Sequence, residues 1–326
     1  LQIFSDIRGV LDLLQIAFCQ GGSPNPDTLR ELKMMRRMIP LLTFSAWLGD
    51  DLEGIFSGFV WEKEGVVVGN VSVHRSSDGA GSWLVSNLAV HPHHRGEGIA
   101  RRLMIAAKER VVERGGTSII LKARKGNIPA ARLYAAMGFQ RIWREARMTK
   151  PPGAVPPASV DSPSQVRRAT AQDSRAISAS RGRAVVAGVK LGHLLVGSGS
   201  RSPLGFPALH RLRDALALRR RQAWVAERPG ALLAYLEMTA NRIPPFQRGM
   251  AIFPAPQCRS SDVQSLAAKA LWTMGAPAKS EVTLSLQELG EQELERDLDR
   301  LGFIESSVED TLYLNLRHQE KEEVRA

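Results

Sequence analysis

The stretch Lys150-Pro151-Pro152-Gly153-Ala154-Val155-Pro156-Pro157, followed by Ser159, Asp161, Ser162, Pro163 and Ser164, constrains the fold more than any other feature of the chain. Each proline fixes φ and removes a backbone donor, so neither a helix nor a central strand can run through this segment. A core has to be built on each side of the break, and 326 residues suffice for two. The expected organisation is a domain over 1–150, a linker over 151–164, a second domain over 165–318 and a charged tail over 319–326.

Ahead of the break, apolar spacing predicts a helix from about Asp6 to Phe18, with Ser5 as N-cap and Ile7, Val10, Leu11 and Leu14 on one face. A second helix is expected from Pro26-Asp27-Thr28 through Leu29, Leu32 and Met35, stopping before Pro40. The period then changes. Ile55 to Trp61 and Val66 to His74 are β-rich runs joined at Lys63-Glu64-Gly65, which suits a hairpin, and Trp83 to Val90 makes a third strand ending at His91-Pro92. From Gly98 to Arg114 the spacing is helical, with Ile99, Leu103, Ala107 and Val111 at steps of four and Gly115-Gly116 as terminator. Ser118 to Ala123 is a strand, Asn127 caps a short helix that tolerates Pro129 in its first turn and ends at Gly138, and Gln140 to Thr149 is another strand. This order implies a mixed α/β sheet with helices on both faces.

Composition removes several classes. Hydrophobic residues at 44% and charged residues at 24% fit a globular chain, not a disordered one or a coiled coil. The formal charge of +11 is carried mainly by arginine, as in Leu218-Arg219-Arg220-Arg221 and Val166-Arg167-Arg168, and favours polyanionic partners such as a nucleotide cofactor, nucleic acid or a ribosome. Aromatic and basic residues do not interleave as in single-strand binders and no groove-reading helix is evident, so a solvated basic face is expected rather than nucleic-acid binding. The 2 cysteines, Cys19 and Cys258, fall in different halves and lack metal-ligand spacing, so neither a disulfide framework nor a metal is expected and a reducing cytoplasm fits. No apolar run is long enough to span a bilayer and no basic segment leads into an apolar one, so no membrane partner is expected. The chain opens at Leu1, so a start residue or short leading segment is expected ahead of it.

The chemistry is concentrated between Ser86 and Phe139. His94-Arg95-Gly96-Glu97-Gly98-Ile99-Ala100 lies between a strand end and the start of an amphipathic helix. Amides at such a turn are unpaired and point outward at the positive end of the helix dipole, where they can bind a pyrophosphate. Glycines at 96 and 98 let phosphate oxygens approach the main chain, although a bare glycine pair also serves any tight strand-to-helix turn. Arg95, Gly98 and Ala100 fit the Arg/Gln-x-x-Gly-x-Gly/Ala element of the GNAT acetyltransferases, preceded by the strand Asn87-Leu88-Ala89-Val90-His91-Pro92. Asn127-Ile128-Pro129-Ala130-Ala131-Arg132-Leu133-Tyr134-Ala135-Ala136-Met137-Gly138-Phe139 resembles the Asn-x-x-Ala-x-x-Leu-Tyr-x-x-x-Gly-Phe element of the same superfamily.

The resemblance implies an acetyl-coenzyme A site. Main-chain groups along Leu88, Ala89 and Val90 would hold the pantetheine arm and orient the thioester carbonyl, and the loop Arg95, Gly96, Glu97, Gly98, Ile99 and Ala100 would hold the pyrophosphate. Asn127 would contact the pantetheine, a role compatible with capping its helix. Tyr134 would protonate the leaving thiolate; its other reading is a half-buried core tyrosine. A substrate amine would attack the thioester directly. No base declares itself: Asn87 stands where some relatives carry an acid, Glu62 and Glu64 sit on a hairpin, and His74, His91 and His93 are further candidates.

Beyond the linker, Gln165-Val166-Arg167-Arg168-Ala169-Thr170-Ala171-Gln172-Asp173 resembles the first strand and helix start of the same superfamily. Ala223 to Glu227 and Leu232 to Thr239 read as a hairpin across Arg228-Pro229-Gly230. Met250-Ala251-Ile252-Phe253-Pro254 parallels Leu88-Ala89-Val90-His91-Pro92, and Leu301-Gly302-Phe303 parallels Met137-Gly138-Phe139. The glycine loop is replaced by Gln257-Cys258-Arg259-Ser260-Ser261-Asp262, and Leu298 stands at the position of Tyr134. An acid at a helix start competes with a phosphate for the same amides, so no second acetyl-coenzyme A site is expected. The second half is expected to pack on the first, shape the acceptor groove or support a homodimer. The mycothiol synthases share this two-domain plan with the other copy preserved, so their substrate does not transfer.

The resemblance thus implies an α/β (α+β) fold of two tandem GNAT-like domains, each a mixed, mostly antiparallel twisted sheet flanked by helices. The implied activity is an N-acetyltransferase that uses acetyl-coenzyme A as co-substrate for a small-molecule or protein amine. The competing reading is a non-catalytic acetyl-coenzyme A sensor or scaffold, and a basic ribosome or nucleic-acid accessory protein is a third.

Overall fold

Alternating apolar and polar residues, cut by glycine turns, set the strands. The computed structural model describes residues 3–19, 36, 57–76, 81–151, 164–170, 172–173, 219–241, 248–255, 257–273, 282–287 and 298–316. The predicted helix near Pro26, the strand start at Ile55, most of the 151–164 linker and the tail lie outside these residues. Helix α1 spans Ile3–Cys19 and buries Ile7, Val10, Leu11, Leu13 and Leu14. It begins ahead of Ser5, which therefore lies in the first turn and not at the cap. The hairpin β1 (Gly58–Lys63) and β2 (Val66–Arg75) turns at Glu64 and Gly65, both with positive φ. That pair of left-handed residues matches the twist of the flanking strands.

Strand β3 (Ser82–Val90), helix α2 (Ile99–Glu113), strand β4 (Ser118–Arg124), helix α3 (Ile128–Ala136) and strand β5 (Gln140–Lys150) follow, within one or two residues of the predicted limits. Past the break come β6 (Gln165–Arg168), β7 (Arg219–Arg228), β8 (Ala231–Asn241), β9 (Arg248–Pro254), α4 (Ser260–Thr273), β10 (Val282–Gln287) and β11 (Ile304–Asn315). The predicted helix start after β6 is built as a capping box, with Thr170 N–H and Thr170 Oγ both donating to Asp173 Oδ2 at 2.7 Å.

The strands form one continuous sheet in the order β1-β2-β3-β4-β11-β5-β10-β9-β8-β7-β6. From β1 to β7 the order is palindromic when β1–β5 are matched to β7–β11, so the chain is two copies of one mixed unit, each flanked by helices. Among the described residues, pairing is parallel for β3 with β4 and for β9 with β10, and antiparallel for the other pairs. The two halves exchange their last strands: β11 inserts between β4 and β5, while β5 pairs with β10. This exchange was not legible in the sequence.

The cores follow the exchange. Helix α2 packs Ile99, Leu103, Met104, Ala107 and Val111 on one face of the first half, in a cluster that includes Leu314 from β11 and Leu316 just after it. Helix α4 covers the second half in a cluster that takes Met148 from β5. Helix α1 lies on the opposite face from α2, against Val60, Val67 and Ala89.

Candidate functional site

The turn from β3 into α2 is a glycine turn that leaves the helix start uncapped. Gly96 and Gly98 have φ of 85° and 77°, a region that L side chains rarely adopt, and a Cβ on Gly96 would meet nothing within 4 Å. Gly98 is the N-cap of α2 and supplies no capping side chain, so the first-turn amides lack the partner that serine or aspartate would give. Arg95, Gly96, Glu97 and Gly98 are exposed, Ala100 is half-buried, and Ile99 is buried beneath them, anchoring the turn to the core.

Glu97 braces the loop. Its carboxylate accepts from Lys63 Nζ at 2.6 Å and lies 2.9 Å from His94 Nδ1, and both contacts hold its pKa below the usual carboxylate range, Lys63 more strongly. Arg102 donates to the Glu97 carbonyl at 3.4 Å and its guanidinium stands 5.1 Å from the Trp61 ring centre. Lys63 and Trp61, on the distant hairpin, were missed in the sequence because nothing local signals their approach. His91, His93 and His94 cluster at the preceding turn, with His91 to His93 ring centres 5.3 Å apart. Burial, then the neighbouring His93, His94 and Arg95, lower the His91 pKa.

Beside this loop the sheet opens. The β3–β4 pairing runs from Ser82↔Ser118 to Val85↔Leu121 and stops, although the strands continue to Val90 and Arg124. A bulge begins the divergence: Asn87 has φ 53°, and the β2–β3 register slips between Asn70 and Ser72. Asn70 Nδ2 donates to the Asn87 carbonyl at 2.9 Å, and Asn87 Nδ2 donates to Ser72 Oγ at 3.3 Å. The Asn87 side chain therefore supports the bulge. Leu88 and Val90 flank the opening and pack on the α2 side, while the Ala89 side chain is buried against α1, so only its main chain faces the gap.

Helix α3 joins the same apolar cluster through Ala130, Leu133 and Tyr134. Asn127 Oδ1 accepts from Ala130 N–H at 3.2 Å, which establishes its capping role. Tyr134 is 7% exposed, lies edge-on to Phe139 at 5.7 Å, and shares one apolar cluster with Leu88, Val90 and Ile99. Burial pushes its phenol up to about 12. The structure thus gathers Leu88, Val90, Ile99 and Tyr134, and leaves Asn127 at an exposed helix start. Glu62 and Glu64 are exposed at the hairpin end, and His74 is half-buried on β2.

The second half shows the same frame closed. Pairing of β9 with β10 runs through Met250↔Leu284 to Leu286↔Ile252, covering the positions that match Leu88 and Val90. At the start of α4 the Asp262 carboxylate, 0% exposed, accepts from Arg259 N–H at 3.0 Å and from Arg228 Nη2 at 3.0 and 3.1 Å. The protein's own acid takes up the amide that a phosphate would need. Leu298, the counterpart of Tyr134, is buried in the core, and burial pushes the Cys258 thiol up to about 12.

Residues 25–139 match the model of the Acetyltransferase (GNAT) family. The chain is similar to a mycothiol acetyltransferase of Thermobispora bispora, 30% identical over 127 residues, which is 38% of this chain and 40% of that protein. It is also similar to N-acetyltransferase 8B of Rattus norvegicus, 30% identical over 96 residues, 29% of this chain and 43% of that one. The matches therefore span well under two thirds of either relative. A GCN5-related N-acetyltransferase structure from Sphaerobacter thermophilus superposes with a TM-score of 0.55 at 16% identity, covering 95% of this chain and 93% of that one, which shows a shared fold over both halves. Among the described residues, no helix is long and apolar enough to cross a membrane.

Proposed function

We propose that the first half of this chain, whose residues 25–139 match the GNAT acetyltransferase family and whose fold is carried in tandem, transfers an acetyl group from acetyl-coenzyme A to a primary amine. The observation that carries this is the loss of β3–β4 pairing beyond Val85, directly beside an uncapped helix start lined by Gly96 and Gly98. The opening leaves main-chain groups of Leu88 and Val90 to hydrogen-bond a pantetheine arm and to polarise a thioester carbonyl. The Arg95–Ala100 amides suit the pyrophosphate, and the open space at Gly96 is room that a Cβ would fill. Bound there, acetyl-coenzyme A supplies an activated acyl group. The amine nitrogen forms the new bond to the carbonyl carbon as the carbon–sulfur bond breaks, and the amine proton leaves to water or a base.

Tyr134 is assigned the return of a proton to the leaving sulfur. With its pKa pushed up to about 12 the phenol is in its protonated form at neutral pH, and as a weak acid it serves the leaving thiolate as a hydrogen-bond donor more than as a source of a free proton. Residues 1–150 are assigned catalysis, and 165–318 support it without a second cofactor site, a reading favoured by the closed β9–β10 ladder and the Asp262–Arg228 pair. The acceptor class, small molecule or protein, follows from the family alone.

Calorimetric titration of the full chain with acetyl-coenzyme A tests the site: one equivalent should bind, and Gly98→Val should weaken binding at least about tenfold, because valine resists positive φ. Free-thiol release with an amine panel tests turnover. Binding without release on any amine would identify a sensor; no binding at all would end the proposal.

A further inference from the structure

Near the middle of the sheet, on the face opposite α2, two buried donors lack partners. Trp143 Nε1 and Thr311 Oγ are both without a hydrogen-bond partner, in residues only 8% and 2% exposed. Thr311 is the register partner of Trp143 on β5 and of Lys122 on β4. The three side chains therefore stand in a row across three strands, with Cβ atoms about 5 Å apart. A register slip on the β5 side of Thr311 bends the ladder at this point. Lys122 Nζ donates to Glu145 Oε2 at 2.6 Å; the lysine side chain is 40% exposed and the glutamate 5%. An ammonium has three protons, so Lys122 keeps donor capacity in reserve.

Native folds seldom leave adjacent buried donors unmet. The position of this row suggests what meets them. Lys122 is the first β4 residue beyond Leu121, the last to pair with β3, so the row borders the opening. Leu121 and Ala123 face the α2 side, and Lys122 faces away from it. Each of the three can donate, through an indole N–H, a hydroxyl and an ammonium, and an oxygen is the one atom type that all three can serve. With Glu145 partly neutralising Lys122, a carboxylate and an amide carbonyl both satisfy them.

We infer that Lys122, Trp143 and Thr311 form the recognition wall for the acceptor, and that the acceptor carries a carboxyl-type oxygen as well as its amine. The second half then contributes directly to the first half's site, because Thr311 arrives on the exchanged strand β11. This inference rests on the acetyl-transfer reading for the acceptor's role, and its test is independent of it.

The full chain, with and without coenzyme A, is titrated with 4-aminobutanoate, 4-aminobutanamide and butylamine while the Trp143 indole N–H resonance is followed, assigned by its loss in Trp143→Phe. The resonance should move with the acid or the amide and stay put with butylamine, and which of the two moves it identifies the oxygen source. Thr311→Val should weaken the responding probe about tenfold, the loss of one hydrogen bond. Lys122→Met, made together with Glu145→Gln so that no buried carboxylate loses its cation, gives a second reading if the valine variant does not fold. For an amine that turns over, this double variant should raise KM about tenfold with kcat unchanged. An unmoved indole with both oxygen-bearing probes, an equal response to butylamine, or unchanged affinity in the double variant overturns the wall. Failure of coenzyme A to bind while the indole still responds removes the acetyl-transfer reading and leaves the oxygen-binding row standing.

Discussion

Tyr134 joins two roles at the residue scale: its ring fills the core against Phe139, and in the reaction proposed above its hydroxyl returns a proton to the leaving sulfur. Burial serves both, because the phenolate is the form that loses water. The folded pKa lies above the unfolded value of about 10, so the stability Tyr134 contributes is full below that pH and is lost as pH rises toward about 12. Tyr134→Phe keeps the ring, so we expect coenzyme A affinity within about twofold of the parent and kcat lower by about ten- to a hundredfold, read by thiol release. An unchanged kcat would make Tyr134 a core residue only. The sequence singled out Gly96 and Gly98 by their place between a strand end and a helix start, and Tyr134 by the resemblance of its segment to the Asn-x-x-Ala-x-x-Leu-Tyr element of the GNAT superfamily. It did not single out Lys63, whose ammonium reaches Glu97 from a turn 34 residues earlier.

At the scale of elements, two strand pairs of one design behave oppositely. A bulge at Asn87 lets β3 leave β4, whereas β9 stays paired with β10. The second half instead invests in internal ion pairs. Arg167 holds Asp173 at 2.8 Å and Glu227 at 2.6 Å, and this, with the Thr170 bonds to Asp173, keeps both carboxyls below their usual range. Depressed carboxylate pKa values add stability that is complete above the unfolded values of about 4 and disappears as pH falls through the folded ones. Urea midpoints should therefore be flat above pH about 5 and drop below about 4, and Asp173→Asn should lower the neutral-pH plateau and shrink that acid drop. An acid limb identical in the variant would place the sensitivity elsewhere. The described elements of the first half and the β7–β8 hairpin were readable from alternation and four-residue spacing, whereas β10 and β11 were not read from the sequence. The bulge was not, because Asn87 carries no marker of positive φ beyond being asparagine.

For the whole molecule, the strand exchange makes the halves interdependent. A chain ending at 164 loses β11 from beside β4 and both neighbours of β5, baring the edges that Leu121 and Trp143 share with Leu312 and Thr311. Unpaired edges of this kind recruit other chains. Residues 1–164 expressed alone should therefore aggregate or assemble with themselves, and co-expression of 165–326 should restore a soluble complex, as followed by size-exclusion chromatography and circular dichroism. A stable, monomeric, coenzyme A-binding fragment would contradict this. The proline-rich break falls between β5 and β6, yet the hydrogen-bonded sheet runs across both halves.

Sequence alone determined what depends on neighbours a few residues apart: the period of the first-half elements, the glycine turn, the Asn127 cap and the loss of glycines in the second copy. Only tertiary structure decided which strand lies beside which, that β3 parts from β4 while β9 does not, and that Thr311 stands next to Lys122 and Trp143. The reason is physical. Backbone geometry fixes local conformation within a turn or a strand, but any edge strand offers the same donors and acceptors to every other. The choice among partners is made by packing across the finished sheet.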